Sequence, residues 1–199
     1  MDDGISARTE AKAVVNVQTS YGETPLHWER KSKIVKLLLR YGAEIEVKDN
    51  LGDTPVLKIT RFTNTHFLRA LIDAGFDFNT RGRFGHTVLH SAVLHRNAVA
   101  LEYLLLRAGG KSIINAQDSR GLTPLGLAID NFRWRGSQPT EKPVIQALVN
   151  LLVQYGSDLE VKNFRGRFTH TVQQIGGKLR WMTLSHVVEV DLGEYGGHE

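Results

Sequence analysis

The chain has no cysteine. That excludes a disulfide framework, a thiol nucleophile and a thiolate metal site. Nor does it contain a run of about 18–20 apolar residues of the kind that crosses a bilayer. Met1–Ala11 carries Asp2, Asp3 and Glu10 where a secretory signal would need a basic start and an apolar stretch, so no export signal is read there. From these absences the expected setting is intracellular, cytoplasmic or nuclear, with no membrane span. Charge of one sign is also scarce: the formal net charge is +4 over 199 residues, which permits an acidic partner without requiring one. What is present, 41% hydrophobic and 23% charged residues, is the composition of a folded chain and fits one domain or one repeat array.

Internal similarity organises the rest. Thr24-Pro25-Leu26-His27, Thr54-Pro55-Val56-Leu57, Thr87-Val88-Leu89-His90 and Thr123-Pro124-Leu125-Gly126 each follow a glycine two residues earlier: Gly22, Gly52, Gly85 and Gly121. The threonines are spaced 30, 33 and 36 residues apart. An apolar helical run follows each motif, at 34–39, 67–72, 101–106 and 144–153. Three of these runs close alike, in Tyr41-Gly42-Ala43, Ala74-Gly75-Phe76 and Tyr155-Gly156-Ser157.

These motifs, in register, resemble the ankyrin repeat family, whose unit is about 33 residues with a T-P-L-H signature. The resemblance runs from Ala13 to Gly166. It implies an all-α repeat solenoid, ankyrin helix-turn-helix repeats joined by β-turn fingers. The local chemistry agrees. A threonine before proline starts a helix, its hydroxyl capping a free N–H while proline fills the first turn. A glycine past the second helix ends it in a left-handed conformation. No single helix pair has enough apolar surface to stand alone, so stability is shared by stacking.

The expected organisation is an N-terminal segment, 1–21, with the remnant of a preceding repeat, then an array over 22–166. Its repeats are placed at about 22–49, 50–81, 82–117 and 118–162. The first is three residues short between its helices, which predicts a clipped first helix. The fourth carries an insertion near 132–142, expected as a loop. Residues 167–199 read as a degenerate fifth repeat or an irregular tail, in which Val187 to Leu192 alternates weakly and could pair as a strand. Neither end reads as a polar cap, which leaves a fragment of a larger repeat protein as one reading of the chain.

Chemical motifs are weak. Gly110-Lys111-Ser112 matches the end of a phosphate-binding loop, but the glycine required five residues earlier is Leu105, and a helix rather than a strand precedes it. His86 and His90 have a metal-chelating spacing, yet the resemblance assigns His90 a structural hydrogen-bonding position. There is no G-x-S-x-G elbow and no HExxH. No enzyme activity, cofactor or metal is therefore expected.

In ankyrin proteins the partner meets the finger tips and the exposed face of the first helices. By matching position the candidate partner-binding residues are Asn50, Leu51, Asp53, Arg83, Phe84, His86, Ser119, Arg120, Leu122, Phe164 and Arg165. Arginine and aromatic residues are what interface hot spots favour. The segment from Arg81 to Arg135 has eight basic and three acidic residues. The leading expectation is a non-catalytic protein-interaction module, an adaptor or inhibitor, monomeric by default. The alternative is salt-dependent binding to nucleic acid or an anionic surface through the basic ridge. No recognised nucleic-acid motif supports a nucleic-acid partner.

Overall fold

The computed structural model describes residues 12–62, 65–135, 142–162, 168–175, 178–182 and 187–190. Helices come in pairs. The first pair is α1 (Pro25–Trp28) and α2 (Ser32–Arg40), the second α3 (Pro55–Ile59) and α4 (His66–Asp73). The third is α5 (Val88–Leu94) and α6 (Ala98–Leu105), followed by an extra turn, α7 (Ala108–Ser112). The fourth is α8 (Pro124–Arg135) and α9 (Lys142–Gln154). The repeat register sets this order: Thr24, Thr54 and Thr87 are extended residues immediately before a helix, with proline or valine at its first position. The clipped first helix appears as expected, since α1 has only four residues. At the fourth repeat, α8 runs on to Arg135, so the start of the expected insertion continues the helix; 136–141 lie outside the described residues.

Equivalent side chains stack along the array. Leu26, Val56, Leu89 and Leu125 occupy the same place in successive first helices and all are fully buried. First helices pack in series, α1 on α3, α3 on α5 and α5 on α8, while α2 packs on α4 and α6 on α9. Burying each such side chain contributes about 1.5–3 kcal/mol, none of which an isolated pair could collect.

Polar groups latch the stack. His27 Nδ1 accepts from the Thr24 backbone N–H at 3.0 Å, and its Nε2–H donates to the Asp53 carbonyl at 3.2 Å, in the next repeat. His90 does the same, from Thr87 N–H at 3.2 Å to the Leu122 carbonyl at 2.9 Å. Because a backbone N–H can only donate, Nδ1 must accept, which fixes both rings as neutral with the proton on Nε2. A second tie is ionic. Lys58 on α3, itself partly buried, lies between the buried Glu23 and Asp49, 2.6 Å from the latter's Oδ2, and Glu23 also takes the Trp28 indole N–H at 2.8 Å. Burial alone would raise the Asp49 pKa and lower that of Lys58, but their hydrogen bond and attraction win, leaving Asp49 lowered and Lys58 raised.

After α9 the chain turns to strands. β1 (Glu160–Lys162), β2 (Phe168–Ile175), β3 (Lys178–Met182) and β4 (Val187–Val190) form an antiparallel sheet in the order β1-β2-β3-β4. Trp181 of β3 stands opposite Val172 on one side and Val188 on the other. β1 ends the segment expected as the fourth repeat, and β2, β3 and β4 lie in the segment that the sequence suggested as a degenerate repeat or an irregular tail. Val187–Val190, from the weakly alternating stretch, pairs with Leu179–Met182. α8 packs beside β1 and β2.

Candidate functional site

The fingers are short hairpins built by one recipe. Asp49 N–H donates to the Asp53 carbonyl at 3.0 Å, Gly82 to His86 at 2.9 Å and Asp118 to Leu122 at 2.8 Å. Gly52, Gly85 and Gly121 hold φ between 72° and 86°, the turn that reverses the chain. Inside two of them an aspartate carboxylate takes the free N–H groups: Asp49 Oδ1 from Leu51 and Asp53 at 2.9 Å, and Asp118 Oδ1 from Arg120 at 2.8 Å and Leu122 at 2.9 Å. Neighbouring fingers are joined through main chain, Asn50 N–H to the Tyr21 carbonyl and Ser119 N–H to the Phe84 carbonyl, both at 2.9 Å. Equivalent tips therefore line up.

The third finger departs from the recipe. Glycine stands where its neighbours have aspartate, and its place is crowded: a Cβ on Gly82 would displace the ends of the Leu57 and Asp53 side chains, coming within 2.5 Å of Asp53 Oδ1. Asp53, reaching over from the second finger, accepts instead from Arg83 N–H at 3.0 Å. With no carboxylate of its own the turn tightens, and Phe84 takes φ 58°, ψ 22°. For a bulky L-residue that left-handed conformation costs roughly 1–2 kcal/mol. Yet Phe84 remains 57% exposed. Its ring lies 4.5 Å from the Arg83 guanidinium carbon and edge-on to His86 at 5.9 Å. Strain spent to present an exposed aromatic side chain is characteristic of a working surface.

Phe84 stands at the mouth of a cavity of about 390 Å³. The fingers contribute Leu51, Asp53, Arg83, Phe84, His86 and Arg120. The first helices and their ends contribute Leu57, Arg61, Ser91, Leu94, His95, Leu127 and Asn131. Its floor is apolar and its rim charged. Arg120 is answered by Asp118 at 3.3 Å and faces Asp130 at 3.6 Å. His86 stacks on His90 at 5.5 Å, with its Nε2 3.5 Å from Asp118 Oδ2; burial lowers its pKa despite that carboxylate. His95 is lowered to about 4, by burial first and then by Arg61, whose Nε donates to its ring at 3.3 Å. At neutral pH both histidines are uncharged, and the arginines carry the positive charge.

The structure thus brings six of the candidate residues into one groove. The others are placed differently. The Asn50 amide donates to the Ser20 carbonyl at 2.9 Å, a tie between fingers. Ser119 is exposed and joined to its neighbour by its backbone. Leu122 is buried beneath the groove, with its carbonyl taken by His90. Phe164 and Arg165 lie outside the described residues. The helix side of the groove, Arg61, Leu94 and His95 above all, was not read from the sequence. The signal was there: Arg61 falls seven positions after Thr54, and Leu94 and His95 seven and eight after Thr87, at the ends of the first helices.

The weak chemical motifs are absorbed by the fold. Both ring nitrogens of His90 are occupied, so it could ligate a metal only by breaking a latch. Gly109-Gly110-Lys111-Ser112 forms α7, where Phe78 lies flat against Gly109 and Leu104 against Gly110 with no room for a Cβ. Among the described residues no group of three or more histidine, aspartate or glutamate side chains could hold a metal ion. Among them, too, no helix is long and apolar enough to cross a membrane.

The chain matches known proteins over the same span. Residues 29–118 and 63–163 match the family model for ankyrin repeats, in three copies. The chain is 27% identical over 187 residues to the B-cell lymphoma 3 protein homolog of Mus musculus, covering 88% of this chain and 39% of that protein. It is 30% identical over 130 residues to the neurogenic locus notch homolog protein 1 of Homo sapiens, covering 63% of this chain and 5% of that one. It therefore spans well under half the length of these relatives. In fold it is similar to the crystal structure of the ankyrin repeat domain of Bcl-3, with a TM-score of 0.65 at 23% identity, over 84% of this chain and 73% of that one.

Proposed function

The chain belongs to the ankyrin repeat family, and on that premise we propose that it is a non-catalytic protein-interaction module, an adaptor or an inhibitor that masks its partner. The partner docks on the finger tips and the concave face of the first helices. One observation carries this reading: Phe84 is held exposed in a strained backbone at the mouth of a groove lined by three arginines. Folding alone would favour a glycine or asparagine there and a polar side chain. Arginine beside an exposed aromatic ring is the composition of an interface hot spot. A cysteine-free chain needs no oxidising compartment, in keeping with action in the cytoplasm or nucleus.

The test is affinity capture from cell lysate with the whole chain beside an Arg83→Ala, Phe84→Ala, Arg120→Ala triple variant, both checked for native circular dichroism. A protein enriched by the first and lost with the second is the expected result. If every enriched protein is retained by the variant, this surface is not the interface.

A further inference from the structure

The charges of the groove are unevenly answered. Arg120 is held by Asp118 and Asp130, and Arg81 donates to the carbonyls of Gly85 and Gln117 at 3.0 and 2.7 Å. Arg61 and Arg83 line the same cavity, and among the described residues neither guanidinium forms an ion pair, the Arg83 contact with Asp53 being made by its backbone N–H. Among the described residues the Arg61 side chain donates to the neutral His95 ring, and Arg83 lies over Phe84. Beside these two cations sit the exposed apolar surfaces of Phe84, Leu51 and Leu94, at 57%, 52% and 44% exposure.

We infer that the groove takes an extended segment of a protein partner in which a carboxylate side chain stands next to a large apolar one. This rests on the interaction-module reading above and specifies its ligand. The carboxylate meets the Arg61 and Arg83 guanidiniums, whose planar forks fit it with paired hydrogen bonds. The apolar neighbour packs against Phe84, Leu51 and Leu94. A cavity of about 390 Å³ lies toward the small end of ligand sites, which run from ~300 to 1,000 Å³. It admits a few side chains of an extended segment rather than a domain. A polyanion fits worse. Asp53 lines the cavity, and Asp118 and Asp130 hold Arg120, so the positive charge left over is confined to Arg61 and Arg83, too few cations for a closely spaced row of phosphates. A single carboxylate aimed at the two unanswered arginines matches them.

The experiment selects a phage-displayed library of short random peptides on the whole chain. Selected peptides are then titrated against the Arg61→Ala/Arg83→Ala variant, its Lys/Lys counterpart and Phe84→Ala, each confirmed as folded by its melting curve. The expected consensus is Asp or Glu within two positions of Leu, Ile or Phe. Binding should weaken at least tenfold in the double alanine variant, recover in part with lysines, and weaken in Phe84→Ala. A neutral or basic consensus lost only with Phe84→Ala overturns the acidic ligand while leaving the interaction-module reading standing. A consensus indifferent to every variant, or no enrichment at all, overturns the peptide groove. Random single-stranded DNA binding as tightly as the best peptide, and lost in the double alanine variant, overturns it in favour of nucleic acid.

Discussion

Leu57 leaves Thr54 without a partner. In the repeats on either side, His27 and His90 stand three residues after the capping threonine and hydrogen-bond its hydroxyl, at 3.0 and 2.8 Å. In the second repeat the same position holds leucine, and the buried Thr54 Oγ1 finds no hydrogen-bond partner among the described residues. A buried hydroxyl left unsatisfied costs about 1–3 kcal/mol. Thr54→Val, nearly the same shape without the hydroxyl, is therefore expected to raise stability by about 1 kcal/mol, whereas Thr87→Val should lower it by a similar amount. Urea unfolding followed by circular dichroism checks both, and a loss at Thr54 equal to that at Thr87 would show that the two hydroxyls are equivalent after all.

His90 makes the array sensitive to acid. Burial lowers its pKa from the ordinary 6.5 to about 4. Between those values the unfolded chain binds the proton that the folded chain refuses. The stabilisation is thus complete above pH 6.5 and lost as pH falls through about 4, worth at most about 3 kcal/mol for a shift of this size. His90→Gln should be less stable at pH 7 but show a shallower decline between pH 7 and pH 4, measured as urea midpoints across that range.

The strain at Phe84 sets stability against binding. Phe84→Asn or Phe84→Gly fits the left-handed backbone and should raise stability by roughly 1 kcal/mol. The same change removes the exposed ring, so affinity for a groove ligand should fall. Thermal melts and titrations on one preparation give both numbers; a variant that neither stabilises nor weakens binding would mean the strain serves no ligand.

Lys58 is held by two carboxylates in the interior. Lys58→Met leaves Glu23 and Asp49 buried without their cation, which is expected to cost about 3 kcal/mol. Adding Glu23→Gln and Asp49→Asn to it should recover much of that loss. Because the triad joins the first two repeats, limited proteolysis of Lys58→Met should cut first in the N-terminal helices.

How much of this could be read from the sequence follows from the range of each interaction. The helix pairs, the capping threonines and the finger glycines are local and recur in register, so Thr24, Thr54, Thr87 and Thr123 announced them. The groove was half legible: tip residues such as Arg83 and Phe84 stand out as arginine and aromatic residues in turns, while Arg61 and Leu94 look like any residue at a helix end. The left-handed backbone at Phe84 was hidden, because its setting lies in another repeat, where Asp53 and Leu57 crowd the place of Gly82 and Asp53 takes the Arg83 N–H. Lys58 was visible as a charge, but its burial depends on Glu23, 35 residues earlier. The strands after α9 are short, and their alternation is too weak to separate from loop.

The way the fingers are fastened has an evolutionary consequence. The middle residue of each hairpin, Leu51 in the second and Arg120 in the fourth, is fixed through its own N–H by the aspartate two positions before it. Most side chains could stand there without disturbing the anchorage. Mutation can thus rewrite what the tips recognise while the scaffold beneath stays unchanged. Among the described fingers the third has less of that freedom, since its backbone at position 84 is left-handed and Gly82 is crowded by Leu57 and Asp53.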